Sequence, residues 1–269
     1  MAAAAEVLAL AAPVDCVCCG AEDRALCGGC ERQLRLLMRA PFRAEAQAPA
    51  LMAVDGSVLL PVVAAGPYRA ELAQALLSFK KHGQRQLAGV LSKGLAKALR
   101  AAVGESPKLL LIPVPTSGSA YRRRGFSPVH VLLGRAGLYP APITGRPSGP
   151  ATVQALRKAG MRPATGVAGG QKALGRGDRA QRVRGSMRVR RGLFARVHGQ
   201  PCIIVDDVLT TGATLAEAAR ALRAAGALVR GAVVLAATRP PVALDFGPED
   251  RDVAGNRSVN EKNKPKKDE

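Results

Sequence analysis

The sequence predicts an α/β domain built on a parallel sheet, preceded by a small four-cysteine module. Three observations lead there. The apolar run Ile203-Ile204-Val205 ends on Asp206-Asp207, passes through Thr210-Thr211-Gly212-Ala213-Thr214 and enters an amphipathic stretch, after which a second apolar run begins. That is the strand–loop–helix–strand order of a parallel sheet. An earlier apolar run, Leu109 to Ile112, leads in the same way into a polar loop and a helix-like stretch. Five of the six cysteines lie between residues 16 and 30. At 269 residues the chain suits one α/β domain with additions. The expected boundaries are 1–57 for an N-terminal helix, the cysteine module and a linker, 58–245 for the α/β domain, and 246–269 for a polar, disordered tail.

In the module, Cys16-x-x-Cys19-Gly20 is followed by Cys27-x-x-Cys30. Two such knuckles offer four thiolates at the reach that tetrahedral zinc requires. Gly20 fits the tight turn that lets backbone amides face the sulfurs. Cys18 is spare in this register, although spacing alone leaves Cys16/Cys18 pairings open. A disulfide pair is the competing reading, disfavoured by the reducing compartment expected for the chain. So small a module has little core of its own, and metal would supply much of its folding energy. Four cysteine ligands leave no open coordination position, so its role would be structural or for docking. Residues 31–57, with Pro41 and Pro49, read as a helix and a linker. Cys202, at the start of the central strand, reads as a small buried hydrophobe.

Val58 to Ala65 reads as a strand interrupted by Pro61, hence as an edge or irregular strand. Tyr68 to Lys81 reads as a helix burying Leu72, Ala75, Leu76 and Phe79, and Gln86 to Ala102 as a second amphipathic helix. His82, between them, reads as a solvated side chain. After the strand Leu109 to Ile112 come Pro113-Val114-Pro115-Thr116-Ser117-Gly118 and Tyr121-Arg122-Arg123-Arg124-Gly125-Phe126, then a helix-like stretch from Pro128 to Ala136. Thr116, Ser117 and Gly118, backed by Arg124 and its neighbours, make a candidate pyrophosphate cradle. The competing reading is a surface turn with a basic helix start.

The chemistry of the Asp-Asp run follows from its place between a strand and a helix. Leu215, Ala218, Ala219, Leu222 and Ala225 share one helical face, and Gly226 supplies the stop. The amides of Thr211 to Thr214 have no partner within the first turn, and the helix dipole favours an anion there. Thr210, Thr211 and Thr214 add hydroxyl donors, while Gly212 and Ala213 let a ligand approach the backbone. Asp206 and Asp207, at the carboxyl end of the strand, can accept from neighbouring sugar hydroxyls. Phosphate on the loop and a diol on the carboxylates describe a ribose 5-phosphate. Ala227 to Ala236 reads as the next buried strand.

Composition bounds the function. No run of 18 or more apolar residues exists, so no membrane-spanning helix is expected. Met1 to Pro13 is Ala- and Leu-rich but lacks a basic start, so no secretory leader is expected and a cytoplasmic location is. The net charge of +20 is uneven. Residues 61–150 carry 13 basic against 2 acidic side chains, and residues 151–200 carry 12 against 1; the rest of the chain is near balance. A basic surround suits a polyphosphate, and also a nucleic-acid backbone; an Arg-rich solvated surface is the blander alternative. Gly145 to Gly170 reads as a flexible hood, with Lys172, Arg176, Arg179 and Arg182 as candidates to close over phosphates. Phe194 is the only aromatic residue in 171–196, which leaves a base-stacking platform for nucleic acid unsupported there.

The Asp-Asp-x-x-Thr-Thr-Gly-x-Thr run resembles the signature of type I phosphoribosyltransferases that binds 5-phosphoribosyl 1-pyrophosphate (PRPP). Pro113-Val114-Pro115 ahead of Arg122-x-Arg124-Gly125-Phe126, Tyr68, Phe79-Lys80 and the Cys-x-x-Cys-Gly module occur with it in ComF-type proteins, and the chain resembles them over most of residues 10–240. The resemblance implies a type I phosphoribosyltransferase-like fold with an N-terminal zinc ribbon, Mg²⁺ with PRPP or a phosphoribosyl nucleotide, and a role in nucleotide metabolism or in competence and DNA uptake. Partners implied for the latter are single-stranded DNA and competence proteins. In the enzyme reading Asp206 and Asp207 would be the catalytic pair. The chain departs from the family pattern at Ser127-Pro128, at His130 and at Arg182, and a second zinc-ribbon half is absent.

Overall fold

The computed structural model describes residues 15–22, 24–104, 109–138, 150–158 and 185–238. The hood expected at 145–170, except for 150–158, lies outside them, as do Lys172, Arg176, Arg179 and Arg182, residues 1–14 and the tail.

The elements in order are α1 (Gly28–Leu37), β1 (Phe42–Arg43), two 3-10 turns (Glu45–Gln47 and Pro49–Leu51), β2 (Val62–Pro67), α2 (Ala70–His82), α3 (Arg85–Val103), β3 (Leu110–Pro113), α4 (Gly118–Arg124), α5 (Pro128–Arg135), β4 (Ala151–Thr152), β5 (Leu156–Lys158), β6 (Met187–Val189), a third 3-10 turn (Arg191–Leu193), α6 (Phe194–Val197), β7 (Pro201–Leu209), α7 (Ala213–Arg223) and β8 (Leu228–Ala237). Six strands form one sheet in the order β1-β2-β8-β7-β3-β4. β1 runs antiparallel to β2, and the other pairings are parallel. β5 and β6 pair antiparallel in a sheet of their own.

The sheet is covered on both faces, which is why its central strands read as continuous apolar runs rather than as alternating ones. Alternate residues of β7 serve opposite cores. Cys202 and Ile204 pack with Leu215, Ala218 and Leu222 of α7. Ile203 and Val205 pack with Leu72, Leu76 and Phe79 of α2, Leu91 and Leu95 of α3, and Leu132 of α5. β8 divides in the same way, with Ala232 and Val234 on one side and Val233 and Leu235 on the other.

Val58 to Ala65 does not form the edge strand that Pro61 suggested. β2 starts after the proline and lies inside the sheet, between β1 and β8. Pro61 stands just outside the strand, where no N–H is demanded of it, and its carbonyl accepts from the Ala232 amide at 2.8 Å. A short helix, α4, also occupies the stretch between Thr116 and Phe126, with Ser117 as its cap accepting from the Ala120 amide at 3.3 Å. His82 is exposed, as expected.

From β3 the chain passes outward to β4, whereas from β7 it passes in the other direction to β8. The strand order therefore reverses between β3 and β7. In open parallel sheets a crevice forms beyond the carboxyl ends of the strands at such a point, and ligands bind there.

Candidate functional site

Both candidate loops open from that crevice. β3 and β7 are neighbours, pairing Ile112 with Ile204 and Pro113 with Val205, and the Val114 amide extends the ladder to the Val205 carbonyl at 2.9 Å. Thr116 to Gly118 therefore leave the sheet beside Asp206 and Asp207.

The β7–α7 turn depends on one glycine. Gly212 caps α7 at φ 79°, in the left-handed region that glycine enters without a Cβ clash. A Cβ built on it would also lie 2.5 Å from Leu51 Cγ. The space above this glycine is thus taken by the protein's own 3-10 turn rather than left to a ligand. The same turn holds the loop by a hydrogen bond from the Ala50 amide to the Thr211 carbonyl at 3.1 Å. It is itself anchored by buried Glu45, which accepts from Arg43 Nε at 2.7 Å and from the Val62 amide at 3.0 Å. Thr210 and Thr211 are exposed and Ala213 and Thr214 half-buried, and the Ala213 amide donates to Thr211 Oγ1 at 3.5 Å.

The two carboxylates are half-buried and unequal. Lys80 Nζ, from the last turn of α2, donates to Asp207 Oδ1 at 2.9 Å. Asp206 Oδ1 instead accepts from the Asp207 amide at 2.8 Å. Burial, and then the Asp207 carboxylate, push the Asp206 carboxyl up to about 7, against the opposing pull of that amide, Lys80 and Lys158. A site that holds one of two adjacent acids near neutrality is prepared for a cation or for hydroxyl donors.

A cavity of about 610 Å³ opens beside the β3–α4 loop, and Lys158, one of its lining residues, acts electrostatically on Asp206. Thr116 and Gly118 line it, whereas Ser117 is spent on the α4 cap and Arg124 is not among the lining residues. The cations there are Arg157 and Lys158 of β5, and Arg190 just after β6. At its wall, Thr116 Oγ1 lies 3.0 Å from Ser127 Oγ, and that oxygen is 2.7 Å from His130 Nδ1. Burial and then the nearby Arg190 hold the His130 imidazole below its usual range. Lys80, Lys158 and Arg190 carry no local signature beside the Asp-Asp run. The tertiary fold brings Lys80 and Lys158 to act on the acids and Arg190 to the cavity, although Phe79-Lys80 at a helix end was visible as a pattern.

The cysteine module is brought together as its spacing implied. The sulfurs of Cys16, Cys19, Cys27 and Cys30 all lie within 4.8 Å of one another, and all are free thiols. Gly20 adopts φ 74° and returns its amide to the Cys16 carbonyl at 2.8 Å. The amides of Cys27 and Cys30 point at the sulfurs of Cys16 and Cys27, each at 3.4 Å. Against burial, which raises it, the Cys27 amide and other donors hold the Cys16 thiol down to about 6, while burial and its neighbouring thiols push Cys30 up. Backbone donation from Cys30 lowers the Cys27 thiol as well, and four sulfurs with inward amides and two favoured thiolates fit a tetrahedral soft-metal site. Cys18 stands apart, its sulfur 3.7 Å from the Glu71 carbonyl. Leu34 and Met38 of α1 and its cap fix the module on the core of α2 and α3.

The mostly parallel sheet and the strand–loop–helix cradle at its switch point define an α/β fold with a ligand crevice at the carboxyl ends of β3 and β7. Comparison with known proteins agrees over the cradle. Residues 172–249 match the family model of the phosphoribosyl transferase domain. An orotate phosphoribosyltransferase of Pelotomaculum thermopropionicum is 43% identical over 77 residues, which are 28% of this chain and 40% of that relative. The chain thus spans about two fifths of the length of that relative. Among solved structures, an orotate phosphoribosyltransferase of Mycobacterium tuberculosis H37Rv in complex with Fe(III) dicitrate aligns with 77% of this chain and 83% of its own, at 15% identity and a TM-score of 0.31. No helix among the described residues is long and apolar enough to cross a membrane.

Proposed function

We propose that the protein binds PRPP with Mg²⁺ in the crevice between β3 and β7 and transfers its phosphoribosyl group to a nitrogen base. The observation that carries this is the juxtaposition of Asp206-Asp207 and the Thr210–Thr214 loop with a cation-lined cavity on the neighbouring strand. The 5-phosphate lies on the amides and hydroxyls of Thr210 to Thr214. The ribose hydroxyls donate to Asp206 and Asp207, whose negative charge also stabilises an oxocarbenium-like centre at C1. Pyrophosphate lies by Thr116 and Gly118, with Lys158, Arg157 and Arg190 answering its charge. The C1–O bond breaks with its electron pair leaving on pyrophosphate, and the base nitrogen forms the new bond to C1. Mg²⁺, held on the pyrophosphate and on hard oxygen donors such as these carboxylates, would supply charge neutralisation to the leaving group.

The zinc reading of Cys16, Cys19, Cys27 and Cys30 belongs to this proposal as a structural site, and their reduced state to a cytoplasmic setting. Titration calorimetry of PRPP with millimolar Mg²⁺, with and without Asp206→Asn/Asp207→Asn, is the test. Saturable binding is expected, weakened about a hundredfold in the double variant. Absence of binding by the unmodified protein overturns the reading. Exchange of labelled pyrophosphate into PRPP reports turnover.

A second reading, the ComF-type one, places the protein in DNA uptake with single-stranded DNA and competence proteins as partners. Its support is the exposed row Lys93, Lys97 and Arg100 on α3, beside Arg35 and Arg39. DNA binding that falls steeply with salt and survives the Asp206→Asn/Asp207→Asn change favours it.

A further inference from the structure

A second cavity, of about 450 Å³, lies among β5, β6, α6 and α7. Its floor is apolar: Ala221, Ala224 and Ala225 of α7, beside Met187 and Val189. At one wall stands Phe194, a large aromatic residue left 46% exposed. Around these are the guanidinium groups of Arg157, Arg188, Arg191 and Arg220. No acidic residue lines the cavity among the described residues, and the only acid anywhere in residues 151–200 is Asp178.

The wall is built rather than incidental. Glu217, 4% exposed, accepts from Arg220 Nε at 2.7 Å, from Arg220 Nη2 at 2.8 Å and from the Met187 amide at 2.9 Å. Arg220 Nη2 also donates to the Met187 carbonyl at 3.2 Å. These bonds lock β6 onto α7 and use up the charge of Arg220. Arg157, Arg188 and Arg191 make no ion pair among the described residues. Three guanidiniums with no ion pair among the described residues, set around one concavity, repel one another and raise the local potential for an anion. Their planar forks match phosphate oxygens, and an apolar floor with an exposed ring suits a flat heterocycle.

We propose that this cavity binds a nucleoside polyphosphate, with the phosphates on Arg157, Arg188 and Arg191 and the base against Phe194 and the alanine floor. It is separate from the PRPP cradle: none of Asp206, Asp207, Thr116 or the Thr210–Thr214 loop lines it, and only Arg157 is shared with the cavity beside the cradle. Its size is that of a small-molecule site. A single aromatic residue at one concavity fits one base, whereas a strand-binding groove stacks successive bases on several rings.

Titration of the full chain with ATP, and separately with inorganic tripolyphosphate, tests the assignment. ATP is expected to bind, and Arg188→Ala/Arg191→Ala to weaken both probes roughly tenfold or more. Phe194→Ala is expected to weaken ATP about fivefold and to leave tripolyphosphate unchanged. Thr211→Ala/Thr214→Ala, in the cradle, is expected to leave ATP binding as it was. All the altered arginine and phenylalanine side chains are exposed, so the variants keep the wild-type fold, which circular dichroism verifies. The proposal fails if ATP does not bind, if the arginine pair proves indifferent to it, or if the threonine pair abolishes it. It fails too if a single-stranded oligonucleotide competes far better than ATP for the same arginines. Because PRPP is not used, failure here and failure of the cradle reading are distinct results.

Discussion

The four-cysteine module and the Asp206-Asp207 cradle are both compact in sequence, yet they are held by different forces. The module's ligands lie within fifteen residues, around two tight turns and a helix start, and only Cys16 and Cys30 among the four are buried. Its geometry is local, and in the proposed zinc reading its stability would rest on the metal. The cradle is held by the sheet: β7 is locked between β3 and β8, and the loop is propped by a 3-10 turn some 160 residues earlier in the chain. With zinc as its proposed tie, the module would come apart on chelation, whereas the cradle would come apart only with the core. A metal-organised site can thus be appended to a fold, whereas a strand-end site is part of it.

The largest effect follows from the module. Cys19→Ser/Cys27→Ser, or a strong chelator, is expected to release residues 15–30 to proteolysis and to cost on the order of 4 kcal/mol or more of stability. PRPP binding should persist, because no hydrogen bond among the described residues links the four cysteines to Asp206, Asp207 or the Thr210–Thr214 loop. Limited proteolysis beside calorimetry on the same sample reads both. Loss of PRPP binding in step with metal would break the contrast and make the module part of the site.

A smaller effect probes the prop under the cradle. Gly212→Ala forces a side chain into φ 79° and against Leu51, whose Cγ would lie 2.5 Å away. The backbone strain and the overpacking together come to about 2–4 kcal/mol. Denaturant unfolding should show that loss, and a Gly212→Ala/Leu51→Ala pair should recover part of it by making room. Full additivity of the two changes would mean that Leu51 does not support the loop.

The contrast also explains what could be read from the sequence. The module was legible because metal-ligand spacing is a short-range pattern. The β7–α7–β8 unit was legible because burial on both faces gives unbroken apolar runs, and its helix shows one face at helical spacing. Tyr68 to Lys81 gave up its four buried residues for the same reason. Pro61 misled, since a proline within an apolar run does not say whether the strand starts before or after it. Arg122 to Arg124 drew attention by their density, yet it is Arg157, Lys158 and Arg190 that line the cavity, and nothing near them in sequence marks them. The Lys80–Asp207 pair spans 127 residues, and it exists only because α2 ends above the carboxyl end of β7. Likewise the short strands β5 and β6 carry too few residues for periodicity to show.

The smallest effect is the sharpest test of the electrostatics in the cradle. The Asp206 carboxyl titrates near 7 in the folded protein and near 4 when unfolded. Below about pH 4 both states hold the proton, and the group contributes nothing to the pH dependence. From about 4 to 7 the unfolded chain gives the proton up while the folded one keeps it, so stability falls as pH rises. Above about 7 both states are ionised, and the penalty of a half-buried charge beside Asp207 stays constant. Asparagine has the same shape and does not titrate. Asp206→Asn should therefore be more stable than wild type at pH 8, by about 1–3 kcal/mol, with the difference shrinking towards pH 4. Urea unfolding of both proteins at pH 4.5, 6 and 8 measures it. If Lys80 and Lys158 instead outweighed burial and Asp207, the sign would reverse and the variant would be the weaker protein at pH 8. Saturating Mg²⁺ with PRPP should raise wild type past the variant at that pH, since the charge that weakens the free protein is the one that the ligand requires.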